Sequence, residues 1–169
     1  ARATISAIPD GIYKYTDYLD DDGVNFGKPV RISVALHITG DKLIVNFGGT
    51  SKQVQGAINS TLSFAKSAIY FAIRSIMEED VPNNAGFFRP IEAIANAGSL
   101  VNPNPPGACA ARGVTGFRII DAIWGALAKA VPEHIRAPGE GGTTSYSIAG
   151  YDSDGNYSQF REAVMGCWG

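Results

Sequence analysis

The sequence predicts an α+β fold, a mixed and largely antiparallel set of sheet hairpins with two buried helices. Three features of the 169-residue chain predict it. Apolar and polar residues alternate between Val30 and Ile38 and again from Leu43 to Phe47, the period of a half-buried strand. Two later stretches carry apolar residues at the three-to-four spacing of a helix. Strands and helices do not follow one another as strict βαβ units, which argues against a doubly wound sheet.

The elements follow in order. Residues 1–8 read as the tail of a helix. After the turn at Pro9-Asp10-Gly11, Tyr13 and Tyr15 alternate with Lys14 and Thr16, predicting a first strand that ends before Asp20-Asp21-Asp22-Gly23. Val30, Ile32, Val34, Leu36 and Ile38 form the core face of a second strand. Thr39-Gly40-Asp41 is turn chemistry, so Leu43, Val45 and Phe47 complete an antiparallel hairpin. From an N-cap at Asn59 or Ser60, the residues Leu62, Ala65, Ile69, Ile73 and Ile76 predict a helix to Glu79, with Phe64, Ala68 and Phe71 widening its stripe until most sides are buried. Ile91 and Ile94 suggest a short strand, and Asn102-Pro103-Asn104-Pro105-Pro106-Gly107 excludes regular structure. A second helix starts near Thr115, carries Ile120, Ile123, Trp124 and Leu127, and stops at Val131 before Pro132. Flanking Asp152-Ser153-Asp154-Gly155, residues 146–150 and 157–164 predict a terminal hairpin.

Composition excludes several classes. A chain with 45% hydrophobic and 18% charged residues is globular, and a net charge of −2 without a Lys/Arg run gives nucleic acid no footing. Lys66, Arg74 and Glu78 interrupt the apolar stretches short of the roughly 18 to 20 residues a bilayer span needs, so no membrane association is expected. The opening residues lack the basic and apolar regions of a secretory signal, and the expected location is cytoplasmic. Cys109 and Cys167 have no CxxC partner and are expected as free thiols. Both ends read as cut, making residues 1–169 a single segment of a larger subunit, truncated at both ends.

Several stretches invite chemistry. Asp20, Asp22 and Gly23 resemble part of a calcium loop, but the frame puts Tyr18 and Pro29 at its first and last ligand positions. Asp152, Asp154 and Gly155 fail the same way, with Gly150 and Arg161 in those places. His37 and His134 lack companions at metal-ligand spacing and read as structural or surface histidines. Cys109 could act as a nucleophile beside a histidine, but no local signature supports it. Gly139-Glu140-Gly141-Gly142-Thr143-Thr144 could turn backbone N–H groups toward an anion, with Glu140 as acid or base; a tight loop between helix and strand is the competing reading. Arg112-Gly113-Val114-Thr115-Gly116 offers a cation, a hydroxyl and a helix N-terminus as an anion site, without the pattern of an ATP loop.

Taken in order, the motifs resemble one family. Pro9-Asp10-Gly11-Ile12-Tyr13 with Asp17-Tyr18-Leu19-Asp20-Asp21-Asp22-Gly23 is similar to the entry motif of the hydantoinase B/oxoprolinase family, which includes N-methylhydantoinase B-type subunits. Gly49-Thr50-Ser51-x-Gln53-Val54-x-Gly56-x-Ile58-Asn59 resembles that family's GTSPQVxGPIN. The likeness continues through Asn84-x-Gly86-x-Phe88-Arg89-Pro90, Gly98-Ser99-Leu100-Val101-Asn102-Pro103, the stretch Ala110-Ala111-Arg112-Gly113-Val114-Thr115-Gly116-Phe117-Arg118 and the loop Gly139-Glu140-Gly141-Gly142.

The resemblance implies part of an ATP-dependent hydrolase that opens a small cyclic amide such as a hydantoin, 5-oxoproline or a lactam. It further implies a hetero-oligomer in which a hydantoinase A-type partner subunit holds ATP and Mg, and a divalent metal bound elsewhere in the full-length chain. The family's GGTHxPD metal stretch and following histidine pair are absent here, so this segment is expected to supply no metal ligand and no cofactor site. Glu140, Arg112 and Thr115 are the expected catalytic set, near substrate or the subunit interface. The alternatives are a component of an ATP-dependent ketone carboxylase of the acetone or acetophenone type, and a structural assembly segment without catalytic residues.

Overall fold

The structure is a computed structural model that describes residues 1–78 and 80–165. The chain divides into two compact units, Ala1–Arg136 and Ala137–Gly169. The predicted α+β class holds.

The first unit is built on a four-stranded sheet in the order β1-β2-β3-β4. β1 (Gly11–Leu19), β2 (Val30–Thr39) and β3 (Lys42–Asn46) pair antiparallel, as the alternation predicted. The turn between β2 and β3 places Gly40 at φ 56°, a left-handed conformation that glycine adopts without steric cost, and its N–H donates to Asp10 Oδ1 at 2.8 Å. β4 (Ile91–Ile94) pairs parallel to β3. That pairing requires a crossover, which carries α2 (Leu62–Arg74) and the one-turn α3 (Ala85–Phe88). A short α1 (Arg2–Ser6) packs against β3.

Register puts Leu36, Val45 and Ala93 on one face, with Ile38, Leu43 and Ile91 beside them. The core lies on this face. Ile32, Leu36, Ile38, Leu43 and Phe47 are almost wholly buried there, each worth about 1.5–3 kcal/mol for its removal from water. α4 (Arg112–Leu127) lies against β1 and β2 on that side, and α2 packs along α4. Gly125 allows the close approach of α4 to β1, since a Cβ there would stand 2.8 Å from the Tyr15 ring. The approach is held by charge as well. Arg118 bridges Asp17 of β1 at 3.4 Å and Asp121, one turn along its own helix, at 2.7 Å. Burial, then the neighbouring Asp17, raise the Asp121 carboxyl above its ordinary value, against the lowering pull of Arg118. Lys129, just past α4, donates to Lys14 O and sits over the Tyr15 ring.

Four helix boundaries differ from the sequence expectation. α2 begins after Thr61, whose hydroxyl accepts from Phe64 N at 3.3 Å; Asn59 and Ser60 precede the cap because both are bound into a loop. α2 also stops at Arg74, short of Glu79, which lies outside the described residues. The chain reverses there, and the Arg74 guanidinium clasps the irregular segment that follows at Val81 O, Asp80 and Asn83. Nor is α2 buried on most sides: Phe71 is 55% exposed. α4 begins at Arg112, three residues before Thr115, and ends at Leu127, ahead of Val131; its N-cap is Ala111, which offers no side-chain signal to read.

The second unit carries β5 (Thr143–Tyr151) and β6 (Tyr157–Met165), paired antiparallel through nine residues each. Asp152 closes the turn by accepting from Asp154 N and Asn156 N, with Gly155 at φ 80°. The predicted hairpin and its Asp-Gly turn are therefore present. Cys109 is a free thiol, while Cys167 lies outside the described residues. No helix among the described residues is long and apolar enough to cross a membrane.

Ile69 is fully buried at the meeting of α2 with the core. Ile69→Ala is expected to lower unfolding free energy by about 2–5 kcal/mol in urea denaturation. A loss under about 1 kcal/mol would place α2 outside the cooperative core.

Candidate functional site

Three loops of the first unit converge at the N-terminal end of α4, and hydrogen bonds from polar side chains and backbone join them. The loop of residues 49–61 is the hub. Its Ser51 N donates to Arg31 O, Gln53 N to Gly98 O and Ser60 N to Leu100 O, while Leu100 N donates back to Ser51 O. Ala111 N donates to Ala57 O at 2.9 Å, so the first turn of α4 hangs from this loop.

Three buried or half-buried side chains fix the hub. Asn59 is fully buried; its amide oxygen accepts from Val54 N at 2.8 Å, and its nitrogen donates to Val54 O, Gly56 O and Ala108 O. Gln53 pairs with the backbone of Asn104 in both directions, accepting at 2.7 Å and donating at 3.5 Å. Asp22 is 4% exposed and accepts from Val24 N, Asn25 N and Asn25 Nδ2, then reaches across to Gly56 N at 3.1 Å.

These donors, the Asn25 backbone first, hold the Asp22 carboxyl well below its ordinary 3.8 despite the opposing effect of burial. N–H groups already point at both oxygens, an arrangement that suits a bare carboxylate and repels a cation. Gly56 is required by the same contact, because a Cβ would lie 1.6 Å from Asp22 O. Sequence reasoning weighs Asp22 only as a calcium ligand and Asn59 only as a helix cap. Their place within the Asp22-Gly23 and Gly56-x-Ile58-Asn59 motifs is the signal that could have found them.

The residues singled out in the sequence divide by location. Thr115 is fully buried in the first turn of α4, and its hydroxyl donates to Ile58 O. It therefore ties helix to hub, and the open pairing of hydroxyl and helix N-terminus expected from the sequence is not formed. Arg112, three residues earlier, is exposed; its Nη1 donates to Cys109 O at 3.2 Å and its guanidinium lies 5.5 Å from the centre of the Phe64 ring. Among the described residues it has no carboxylate within ion-pair distance. Glu140 belongs to the second unit and is exposed in the loop before β5, its carboxylate folded back so that a Cβ on Gly142 would meet Oε1 at 2.8 Å. Gly141, at φ 70°, makes that fold possible.

The signatures built into this network are matched along the whole chain by one family model, Hydantoinase B/oxoprolinase, over residues 1–169. The chain belongs to that family. Within the family, it is 34% identical over 178 aligned residues to a provisionally named B-type subunit of a D-/L-hydantoinase from Pseudomonas sp. (strain NS671), covering 99% of this chain and 30% of that protein. It is 28% identical to the caprolactamase beta subunit of Pseudomonas jessenii, over 97% of this chain and 28% of that one. The solved ATP-dependent caprolactamase from Pseudomonas jessenii superposes with a TM-score of 0.80 at 27% identity, covering 94% of this chain and 27% of that chain. A nucleotide-free acetone carboxylase superposes at 0.74 with 14% identity, a likeness of fold alone. The chain thus spans under a third of the length of these family relatives.

Two outcomes test the hub. Gly56→Ala is expected to destabilise by more than the roughly 1 kcal/mol typical of point variants, because backbone rather than a flexible side chain must move. Asp22 has a folded-state pKa below its unfolded one, so its stabilisation is present above pH 3.8 and is lost as pH falls below that value. The stability gap between the unaltered chain and Asp22→Asn should therefore narrow on acidification in pH-dependent denaturant melts. A gap constant from pH 6 to pH 2, as far as both fold, would mean that the carboxylate charge does not matter (about the range set by ordinary carboxylate titration).

Proposed function

We propose that this chain is part of an ATP-dependent enzyme that opens a small cyclic amide, a hydantoin, 5-oxoproline or lactam, and that it acts with a second subunit of hydantoinase A type. The observation that carries the reading is the superposition of nearly the whole chain on a caprolactamase at 27% identity, together with family membership over every residue. The ketone carboxylase alternative has only a fold likeness behind it. ATP and Mg belong, in this reading, to the partner subunit, and a divalent metal to another part of the full-length protein.

Within this enzyme the segment has two jobs. The hub of residues 49–61 is scaffold: Asp22, Gln53, Asn59 and Thr115 turn their polar atoms inward onto backbone. Arg112 and Glu140 are the outward-facing members of the expected set, proposed here to meet the substrate or the companion subunit. A cyclic amide that opens develops negative charge on its carbonyl oxygen, and a guanidinium is a suitable counter-charge. A carboxylate such as Glu140 can accept or return a proton.

The test is ATP hydrolysis by the full-length chain with its companion subunit, assayed against hydantoin, 5-oxoproline, a lactam, and a ketone with bicarbonate. Stimulation by a cyclic amide is expected; stimulation only by the ketone with bicarbonate would overturn the reading. In the same assembly Arg112→Ala and Glu140→Gln are each expected to lower turnover efficiency by about 10²-fold or more with the complex intact. Intact turnover in both, or loss of the complex, would leave the segment a scaffold.

A further inference from the structure

We propose that Asp22 is a positioning residue for Arg112, acting through the hub loop rather than by touching substrate. The inference rests on the proposed function in one respect, that Arg112 acts at the substrate.

A continuous path joins the two residues. Asp22 Oδ2 accepts from Gly56 N at 3.1 Å, and the next two carbonyls of the same loop hold α4: Ala57 O accepts from Ala111 N at 2.9 Å and Ile58 O accepts from the Thr115 hydroxyl. Arg112 sits between those two anchors, as the first residue of the helix. The loop already lies close against Asp22, an approach open only to a glycine, since a Cβ at position 56 would stand 1.6 Å from Asp22 O. Nor can it drift outward freely, since Asn59 ties Val54, Gly56 and Ala108 together from inside. A displacement of Gly56 is therefore passed to residues 111–115. The guanidinium rides on that turn, steadied by Cys109 O and the Phe64 ring. A charged hydrogen-bonded clamp is well suited to this purpose, because it is directional and costly to leave half-made.

The geometry also supplies a selective probe. Asn at position 22 keeps one carbonyl oxygen for Val24 N and Asn25 N, the bonds that shape its own turn, but presents an amide N–H₂ where Gly56 N–H needs an acceptor. Asp22→Asn thus breaks the link to the hub and leaves the turn its backbone acceptor, while the bond from Asn25 Nδ2 is recovered by a flip of the Asn25 amide.

The experiment is a double-mutant cycle in the full-length enzyme assembled with its companion subunit, with KM and kcat measured for the cyclic amide that stimulates ATP hydrolysis. Asp22→Asn, Arg112→Ala and the double variant are compared, with thermal melts and complex size as controls. Asp22→Asn is expected to move the same kinetic parameter as Arg112→Ala, by about tenfold, and the double variant to be no worse than Arg112→Ala alone. Effects that multiply, or an Asp22→Asn enzyme with unaltered KM and kcat, overturn the proposal. A silent Arg112→Ala instead overturns the substrate role assigned to Arg112, and is distinguishable because the cycle then has no effect to couple. Should Asp22→Asn fail to fold, Thr115→Val breaks the neighbouring tie without changing side-chain size, and the same non-additivity with Arg112→Ala is expected.

Discussion

The contact between Asp22 and the Gly56 peptide is the constraint on which the loop network at the start of α4 depends. A carboxylate with little exposure is tolerable only when its oxygens are met by donors, and here the turn after β1 provides three of them and the hub loop the fourth. The fourth matters most for architecture. It joins a connection inside the antiparallel sheet to the start of the crossover that leads to β4, two parts of the chain 34 residues apart. The absence of a side chain at Gly56 is as much a part of the joint as the charge on Asp22, because the backbones approach closer than any Cβ permits. From this joint the hub reaches Arg31 in β2 and Gly98, Leu100, Ala108 and Ala111 in the connection before α4, so one irregular loop ties the sheet to the start of that helix.

Irregular backbone near a protein interior carries N–H and C=O groups that regular structure would otherwise satisfy. The long connections of this unit meet that requirement with side chains that each satisfy several backbone atoms. Asn59 alone serves Val54, Gly56 and Ala108, and Gln53 forms a two-way pair with Asn104. No buried side-chain nitrogen or oxygen among the described residues lacks a partner. Such a network resists partial change: removing one amide orphans three or four backbone groups together. That explains how loops of this length can carry α4 in a defined position.

Much of the fold was legible because it follows from periodicity. The alternation in β2 is so regular that its buried face is read directly, and the Asp-Gly turn of the terminal hairpin needed only local chemistry. The misplaced boundaries were set by interactions between residues distant in sequence. Asn59 has the composition of a helix cap, but a tertiary partner at Ala108 claims it; α2 ends where Arg74 meets residues 80–83; and α4 starts at Arg112, after an Ala111 cap whose N–H is received by Ala57 O. The site was less legible for the same reason. Thr115 beside a helix start reads as an exposed hydroxyl until the helix is seen to begin earlier, which rotates that position inward toward Ile58. Asp22 reads as one of three consecutive acids, and only the fold separates the buried one from its neighbours.

This division of labour bears on how one architecture supports several substrates. Where the signature residues act as internal struts, their identity is dictated by backbone geometry rather than by the chemistry of a substrate. The acetone carboxylase that superposes at 14% identity shares this architecture, a likeness of fold alone. Side chains that the struts hold but do not use are left free of that structural duty. In this chain Arg112 is of that kind: its backbone is fixed between Ala57 and Ile58 through Ala111 and Thr115, while its charge is directed away from the core. A guanidinium that faces outward from a fixed backbone can be replaced without disturbing the hub, so a substitution at Arg112 changes its charge and leaves the fold in place.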